Sequence, residues 1–299
     1  MSNNYSLTNI KEIKIKNLED LALRIRKDII DATYKVSIHK GKTHVGGSLS
    51  LCEILSMLYG EVLNVSEDNL LSENRDRFIL SKGHGALALY ATLKEVGIIS
   101  LDDFLSFKED DSHFWTHPTF NKELGLEFAS GSLGIGISLA VGTAFALKLK
   151  GNPEKVYCLI GDGECDEGEV WEALSFANHH KLNNLTVIVD DNNMQLDDFT
   201  SKIVDKSNLA KRIESFGFKV VEVDGHDLEA LNKAFTSAHD EMPLAVIAHT
   251  IKGKGVSFIE NNPAYHTGSL TKEQYEQALA ELGFSVNVNN QTSKEISNE

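Results

Sequence analysis

The 299-residue chain is long enough for one large domain or two smaller ones, and 41% hydrophobic residues is ordinary for a globular protein. Its formal charge of −15 argues against nucleic-acid or anionic-membrane partners, because these bind basic surfaces. Three cysteines without a Cys-x-x-Cys pair indicate neither a disulfide framework nor a zinc site. The polar N-terminus carries no secretory pattern, so a cytoplasmic protein is expected.

The first part of the chain predicts a pair of helices joined by a glycine-rich loop. A polar tail is predicted for residues 1–16, and an amphipathic helix for residues 17–40, where apolar residues recur at helical spacing. The segment His44–Ser50 is predicted to form a loop, because its glycines stand directly before a second helical pattern at residues 51–62.

The next segments repeat the order of strand, turn and helix. Phe78–Leu80 is predicted to be a short strand, followed by the glycine-flanked His84 and a helix over residues 86–96. Ser100 and Asp103 have the spacing of a capping box at the start of a short helix.

A second glycine-rich segment precedes the longest uncharged run. His117-Pro118 is followed by Gly131–Gly136 and then by a predicted helix over residues 137–150 that is rich in Gly and Ala. Small residues let such a helix approach its neighbours closely. A helix buried against the sheet explains the uncharged run, residues 128–147, better than a membrane span does.

Residues 156–197 form the most informative stretch. An apolar run, Val156–Ile160, ends in the turn Gly161–Gly163, and a second run, Leu185–Val189, ends in Asp190–Asn193. With the helical pattern between them, these runs predict a β-α-β unit. Both polar clusters then emerge at the carboxyl edge of a parallel sheet, where α/β proteins bind ligands.

The residue types in these two clusters favour a metal and a phosphate. Carboxylate, amide and backbone oxygens suit Mg²⁺ or Ca²⁺. Gly161 and Gly163 let backbone N–H groups approach an anion at a helix start. We therefore predict a cradle for a metal-bound diphosphate. The alternative is an Asx-rich loop that merely ends two strands.

The rest of the chain continues the alternation of strands and helices. Helices are predicted at residues 208–216, 227–238 and 271–282, and strands at 219–223 and 244–249. The fold class is therefore α/β, with a mostly parallel sheet flanked by helices on both faces. One domain is expected over residues 17–285, with a flexible tail at 286–299, and the basic loop 250–256 suits an anionic ligand.

Gly-Asp-Gly followed by Asn-Asn, with Asp162 and Asn192 30 positions apart, resembles the thiamine diphosphate fingerprint of transketolases. The resemblance implies that Asp162, Asn192 and the carbonyl of Met194 bind Mg²⁺, for which Ca²⁺ or Mn²⁺ are alternatives. It implies that the diphosphate bridges metal and protein. The remaining implied cofactor residues are His84, Gly131, Leu133, Gly161, Gly163, Glu164 and His266.

The resemblance also implies catalytic residues, which are His44, His84, His117 and Glu167. Unperturbed histidines titrate near neutrality, so they are expected to bond sugar hydroxyls and move protons. Two segments depart from the family pattern: Ile135 stands where Gln is common, and Thr43–Val45 stands where Gly-His-Pro is frequent. His113 matches no motif and is expected at the surface.

Glu167 has two interpretations. In the first turn of a helix, a carboxylate stabilises the helix through its dipole. The resemblance implies instead that Glu167 meets the ring-activating glutamate of the family across a subunit interface, and Glu172 lies on the same predicted helix. The resemblance implies that this second glutamate belongs to a pyrimidine-binding domain, which is expected on a separate chain.

The resemblance covers residues 17–285 and matches the first half of a transketolase. The expected function is thus the N-terminal subunit of a split transketolase that transfers a two-carbon ketol unit between sugars or sugar phosphates, as in the pentose phosphate pathway. An α2β2 assembly with a separate C-terminal subunit is expected. The alternatives are the α subunit of a thiamine-dependent 2-oxo acid dehydrogenase and a non-catalytic subunit that binds thiamine diphosphate.

Overall fold

A computed structural model describes residues 2–205 and 208–285, and its centre is a parallel sheet. The strands are β1 Arg77–Leu80, β2 Val156–Gly161, β3 Leu185–Asp191, β4 Lys219–Asp224 and β5 Leu244–His249. Their order in the sheet is β1-β2-β3-β5-β4, and every neighbouring pair is parallel. The predicted α/β class with a parallel sheet is confirmed.

Helices cover both faces of this sheet. They are α1 Ser2–Ile38, α2 Val45–Leu49, α3 Cys52–Met57, α4 Ala86–Glu95, α5 Leu101–Leu105, α6 Ile135–Lys150, α7 Gly168–His179, α8 Thr200–Ile203, α9 Leu209–Ser215, α10 Leu228–Phe235 and α11 Lys272–Glu281. No helix in the described part of the chain combines the length and the apolar character needed to cross a bilayer.

The alternation of side chains along the strands separates two hydrophobic cores. In β2, Tyr157 and Leu159 belong to the core that includes residues of α1, α3, α4, α10 and α11, while Cys158 and Ile160 belong to the core that includes residues of α6, α7 and α9. Because both faces of the central strands are covered, these strands read as continuous apolar runs rather than alternating ones. β4 lies at the edge of the sheet, and its side chains are correspondingly half-buried or exposed.

The first helices differ from expectation. α1 begins at Ser2 instead of Asn17, and Lys14 Nζ donates to Glu61 Oε1 at 2.9 Å. The predicted glycine loop before α3 is wrong, because Gly46 and Gly47 lie inside α2. A Cβ on Gly46 would stand 2.8 Å from the Tyr265 carbonyl oxygen, so this glycine permits close packing rather than a loop.

The remaining predicted elements agree with the structure. α3 ends at Met57 and continues as a π-helical turn over Leu58–Val62, close to the predicted end. The capping box of Ser100 and Asp103 is present at the start of α5. The predicted tail at residues 286–299 lies outside the described residues, and the proposed domain limits remain predictions.

Two glycines of α6 offer a matched test of this packing. A Cβ on Gly136 would lie 2.5 Å from Ser81 Cα, whereas a Cβ on Gly142 would meet no atom within 4 Å. Gly136→Ala should therefore destabilise the fold by about 1–3 kcal/mol, as overpacking does. Gly142→Ala should stabilise it by about 0.5–1 kcal/mol, because alanine loses less entropy in a helix. Urea unfolding of both variants measures the difference, and equal effects would contradict this account of α6.

Candidate active site

The carboxyl ends of β1, β2, β3 and β5 surround a cavity of about 270 Å³. It brings together residues from distant parts of the sequence, as predicted for the carboxyl edge of a parallel sheet. The predicted site residues that line it are His44, His84, His117, Gly131, Leu133, Gly161, Asp162, Gly163, Glu164, Asn192, Met194 and His266. Glu167 is the one predicted site residue that lies outside the cavity wall.

A buried carboxylate, Asp190 at the end of β3, organises the floor of the cavity. It accepts hydrogen bonds from Ser50 Oγ at 2.9 Å and from Asn192 Nδ2 at 2.8 Å. It also accepts from Thr250 Oγ1 and forms an ion pair with Lys82 Nζ. Burial by itself would raise the pKa of Asp190, but the Lys82 ammonium and these hydrogen bonds lower it.

Asp162 and Asn192 lie next to this carboxylate and are 2% and 4% exposed. Asp162 Oδ2 accepts from Thr200 Oγ1 at 2.7 Å, and its Oδ1 accepts from the Gly163 amide at 2.8 Å. Because Asn192 donates from its amide nitrogen to Asp190, the orientation of its carbonyl oxygen is fixed. That oxygen accepts from the Met194 amide at 3.1 Å, across a left-handed turn.

The oxygen donors of Asp162, Asn192 and Met194 fit a hard cation. No group of three or more His, Cys, Asp and Glu side chains able to hold a metal occurs among residues 2–205 and 208–285. A cation here would therefore be bound by one carboxylate, one amide oxygen and main-chain oxygen, with a ligand and water completing the shell. Mg²⁺ is commonly held in this way, since it retains water and binds substrate phosphates.

Glu164 holds three segments of the cavity wall together. Its Oε1 accepts from the Gly134 amide at 2.8 Å and from Ser81 Oγ, and its Oε2 accepts from the Gly161 amide at 3.0 Å. Burial raises the pKa of Glu164. Because both oxygens bond to protein groups, the contacts favour an ordering role for this residue over a direct role in cofactor binding.

Four histidines form one cluster in the cavity. The ring of His44 has its centre 5.8 Å from that of His84, 5.6 Å from that of His117 and 5.4 Å from that of His266. Burial and nearby positive charges lower the pKa of His44 to about 4, that of His266 to about 3 and that of His84 well below its usual value. Burial also lowers the pKa of His117.

The expectation that the cavity histidines titrate near neutrality is therefore wrong for His44, His84 and His266. At neutral pH their imidazoles are uncharged, so each ring has one nitrogen that accepts a hydrogen bond. His44 Nδ1 is buried and has no hydrogen-bond partner among the described residues. An unpaired buried polar atom is costly, so a ligand that forms a hydrogen bond with it gains affinity.

Two lysines, Lys82 and Lys252, also line the cavity, and the sequence analysis named neither as a site residue. Lys82 Nζ lies against Asp190, and Lys252 Nζ lies 3.1 Å from the Gln195 carbonyl oxygen and 3.1 Å from His266 Nδ1. Burial and the charge of Lys82 lower the pKa of Lys252 to about 8. The basic character of the loop 250–256 indicates an anion site in general, whereas no comparable pattern surrounds Lys82.

Glu167 and His113 are exposed. Glu167 is the residue before α7, and its side chain makes no capping hydrogen bond. A Cβ built on Gly134 would lie 3.0 Å from the Cβ of Glu167, so the backbones at these two residues run close together. The structure does not bring Glu167 into the cavity, and its contact with a partner subunit remains a prediction. His113 lies at the surface, as expected.

Comparison with known proteins identifies the family. Residues 22–299 match the family described as the transketolase thiamine diphosphate-binding domain. The chain belongs to this family. It is 37% identical over 268 residues to a subunit of 6-deoxy-6-sulfo-D-fructose transketolase from Clostridium sp. (strain MSTE9), covering 89% of this chain and 96% of that protein. It is 42% identical over 240 residues to a subunit of apulose-4-phosphate transketolase from Actinobacillus succinogenes, covering 80% and 87%.

Solved transketolase structures share the fold. The crystal structure of transketolase from Campylobacter jejuni matches with a TM-score of 0.81 and 32% identity, covering 90% of this chain and 44% of that chain. The present chain thus spans less than half of the Campylobacter transketolase chain. It spans nearly the whole of the transketolase subunit from Clostridium. The predicted family, fold and first-half correspondence are confirmed.

The dependence on Asp190 is testable by removing its charge. Asp190→Asn would leave the Lys82 ammonium buried without a counter-charge, so we expect a loss of about 3–5 kcal/mol in unfolding free energy. Asp191→Asn is the control, because Asp191 pairs with the half-exposed His249 and should cost less than about 1 kcal/mol. Urea unfolding compares the two, and Lys82→Met in the Asp190→Asn background should recover part of the loss.

Proposed function

We propose that this chain is the N-terminal subunit of a split transketolase that binds thiamine diphosphate and a divalent cation. The observation that carries the proposal is the meeting of three features in one cavity. These are the oxygen donors of Asp162 and Asn192, the cationic Lys252, and the cluster of four histidines. A phosphate-bearing cofactor with a cation and a hydroxyl-rich substrate would use all three.

In this proposal Asp162, Asn192 and the Met194 carbonyl hold Mg²⁺, which neutralises part of the diphosphate charge. Lys252 would supply a second positive charge, and because its Nζ lies 3.1 Å from His266 Nδ1, both side chains would lie beside the same anionic group. Gly163 supports the arrangement, because a Cβ there would stand 3.0 Å from Gln195 Cγ, in the wall of the same cavity. The predicted Ca²⁺ or Mn²⁺ alternatives offer the same preference for oxygen.

The histidines are proposed to contact the substrate. Thiamine diphosphate supplies a nucleophilic ring carbon that carries the ketol unit between sugars. The uncharged imidazoles of His44, His84 and His117 would accept hydrogen bonds from sugar hydroxyls and take up a proton as one leaves the substrate. Each would then return the proton, because release of that proton restores the neutral ring.

A separate C-terminal subunit is proposed to close the cavity. Apolar side chains are exposed beside it, in the segment that follows the Met194 turn: Leu196, Phe199, Ile203 and Val204 are 58%, 36%, 41% and 46% exposed. Leu196 also lines the cavity. Exposed apolar side chains close together in sequence and beside a site are typical of an interface. An α2β2 assembly, in which Glu167 meets the partner's ring-activating glutamate, remains part of the proposal.

The substrate is proposed to be a ketose that carries an anionic group. The named relatives act on 6-deoxy-6-sulfo-D-fructose and on apulose-4-phosphate, which are sulfonated and phosphorylated sugars. Both relatives support an anionic ketose as the substrate of this chain. They do not favour the pentose phosphate pathway over other pathways of sugar metabolism. A cytoplasmic location remains a prediction.

The four-histidine cluster favours this function over the α subunit of a 2-oxo acid dehydrogenase, because a sugar offers many hydroxyl donors and a 2-oxo acid few. An assay of ketol transfer, set beside one of oxidative decarboxylation with a lipoyl acceptor, separates these alternatives once the partner subunit is added. A subunit that only binds thiamine diphosphate would show neither activity.

Substitutions separate binding from catalysis. With the partner subunit present, Asp162→Ala should abolish cofactor binding, because it removes the charged oxygen donor. His117→Ala should keep binding but slow ketol transfer by about 10²-fold or more, the usual effect of losing a proton-transfer group. Calorimetry and a coupled transfer assay measure the two effects. His113→Ala, an exposed histidine of the same segment, is the control. Full activity of His117→Ala would contradict the catalytic role.

The pKa of Lys252 gives a pH dependence. With a value of about 8, Lys252 is charged below that pH and loses its proton as the pH rises above it. The affinity for thiamine diphosphate, measured by calorimetry at constant Mg²⁺, should therefore fall from pH 8 upward. Lys252→Met should bind more weakly at pH 7 and show a smaller fall. Parallel profiles for the two proteins would remove Lys252 from the proposed site.

A further inference from the structure

Three side chains outside the cavity form a buried network. Arg26 of α1 donates through Nη2 to both oxygens of Glu53 in α3, at 2.8 and 2.9 Å. His226, which follows β4, has its Nδ1 2.9 Å from Glu53 Oε2. The three side chains are 7%, 13% and 12% exposed. Because a buried charge without a partner is costly, each member depends on the others.

This network holds both ends of the short segment that carries Lys252. The Ile251 amide donates to His226 Nε2 at 2.9 Å, and Arg26 Nε donates to the Lys254 carbonyl oxygen at 2.8 Å. Glu53 joins the two anchors, since it bonds to both Arg26 and His226. The lysine between the anchors points its ammonium group to the Gln195 carbonyl and to His266.

The middle of the segment has a further contact with the site. The Gly253 amide donates to the Gly46 carbonyl oxygen at 3.0 Å, in the helix that directly follows His44. Gly253 and Gly255 both have left-handed backbones, with φ of 86° and 94°. A Cβ on Gly255 would lie 2.6 Å from Arg26 Cδ, so the segment lies directly against the arginine.

The hydrogen bonds fix the tautomer of His226. A backbone amide can only donate, so Nε2, which faces the Ile251 amide, carries no proton. The proton is therefore on Nδ1, where it is donated to the Glu53 carboxylate. The two ring nitrogens thus have separate roles, because Nδ1 joins the ring to the network and Nε2 holds the segment.

We propose that His226 is a positioning residue, which keeps the Lys252 ammonium in the cavity for the diphosphate group of the cofactor. His226 is not among the residues that line the cavity, and it contacts the segment through the Ile251 amide. The inference rests on the proposed function, since it assigns Lys252 to an anionic ligand. It adds a residue that no sequence motif marks.

Two substitutions of His226 separate these two roles. Gln places an amide oxygen near the position of Nε2, so His226→Gln can still accept from Ile251. Asn places an amide nitrogen near the position of Nδ1, so His226→Asn can donate to Glu53 but cannot reach Ile251. Both remove the ring, which makes each a control for the other. His249→Asn, at a half-exposed histidine of the same sheet edge, controls for the change of residue type.

The experiment measures hydrogen exchange of the segment 251–254 in the free chain, and thiamine diphosphate binding by calorimetry with Mg²⁺ at pH 7. We expect exchange of the Ile251 amide to be about tenfold faster, and binding about tenfold weaker, in His226→Asn than in His226→Gln, as for the loss of one buried hydrogen bond. His249→Asn should match the wild type in both. Circular dichroism verifies that each variant is folded.

Equal exchange and equal affinity of the Asn and Gln variants would overturn the inference, because a purely structural role does not distinguish the two ring nitrogens. If the wild-type chain still binds thiamine diphosphate in that case, only the role of His226 is overturned, and the proposed function is retained. A wild-type chain that binds no thiamine diphosphate, alone or with its partner subunit, would instead overturn the proposed function together with the assignment of Lys252 to a diphosphate.

Discussion

The ion pair between Lys82 and Asp190 is the interaction on which the site depends. Lys82 follows β1 and Asp190 is the penultimate residue of β3, so the pair reaches across the end of β2, which lies between those strands. Gly161, the last residue of β2, lies beside the crossing, and a Cβ there would be in van der Waals contact with the Lys82 side chain at 3.8 Å. The side chains of Lys82 and Asp190 are 1% and 0% exposed, so water cannot replace either partner of the ion pair.

The other parts of the site take their positions from this pair. Asp190 orients the amide of Asn192 and holds the hydroxyls of Ser50 and Thr250. Ser50 follows α2, which begins directly after His44, and Thr250 begins the segment that carries Lys252. Asn192, the helix that follows His44 and the segment that carries Lys252 are therefore connected through one carboxylate.

The sequence predicted the strands and most helices, because buried parallel strands and amphipathic helices have distinct hydrophobic periods. It also predicted the cavity residues, since short motifs lie at the strand ends where a parallel sheet gathers them. The protonation of His44 and His266 could not be predicted, because it depends on burial and on the charge of Lys252. The contact between Arg26 and Lys254 joins residues 228 positions apart, and no local pattern encodes it.

The uncharged imidazoles and the weakly basic Lys252 have a consequence for how an anion would enter. Negative charge brought into the cavity favours the protonated form of every such group, so their pKa values rise as the anion arrives. The protein then takes protons from the surrounding buffer, and the heat released on docking varies with the buffer chosen. If an anion binds there, this proton uptake would make the net charge of the occupied cavity less negative than the charge of the ligand alone implies.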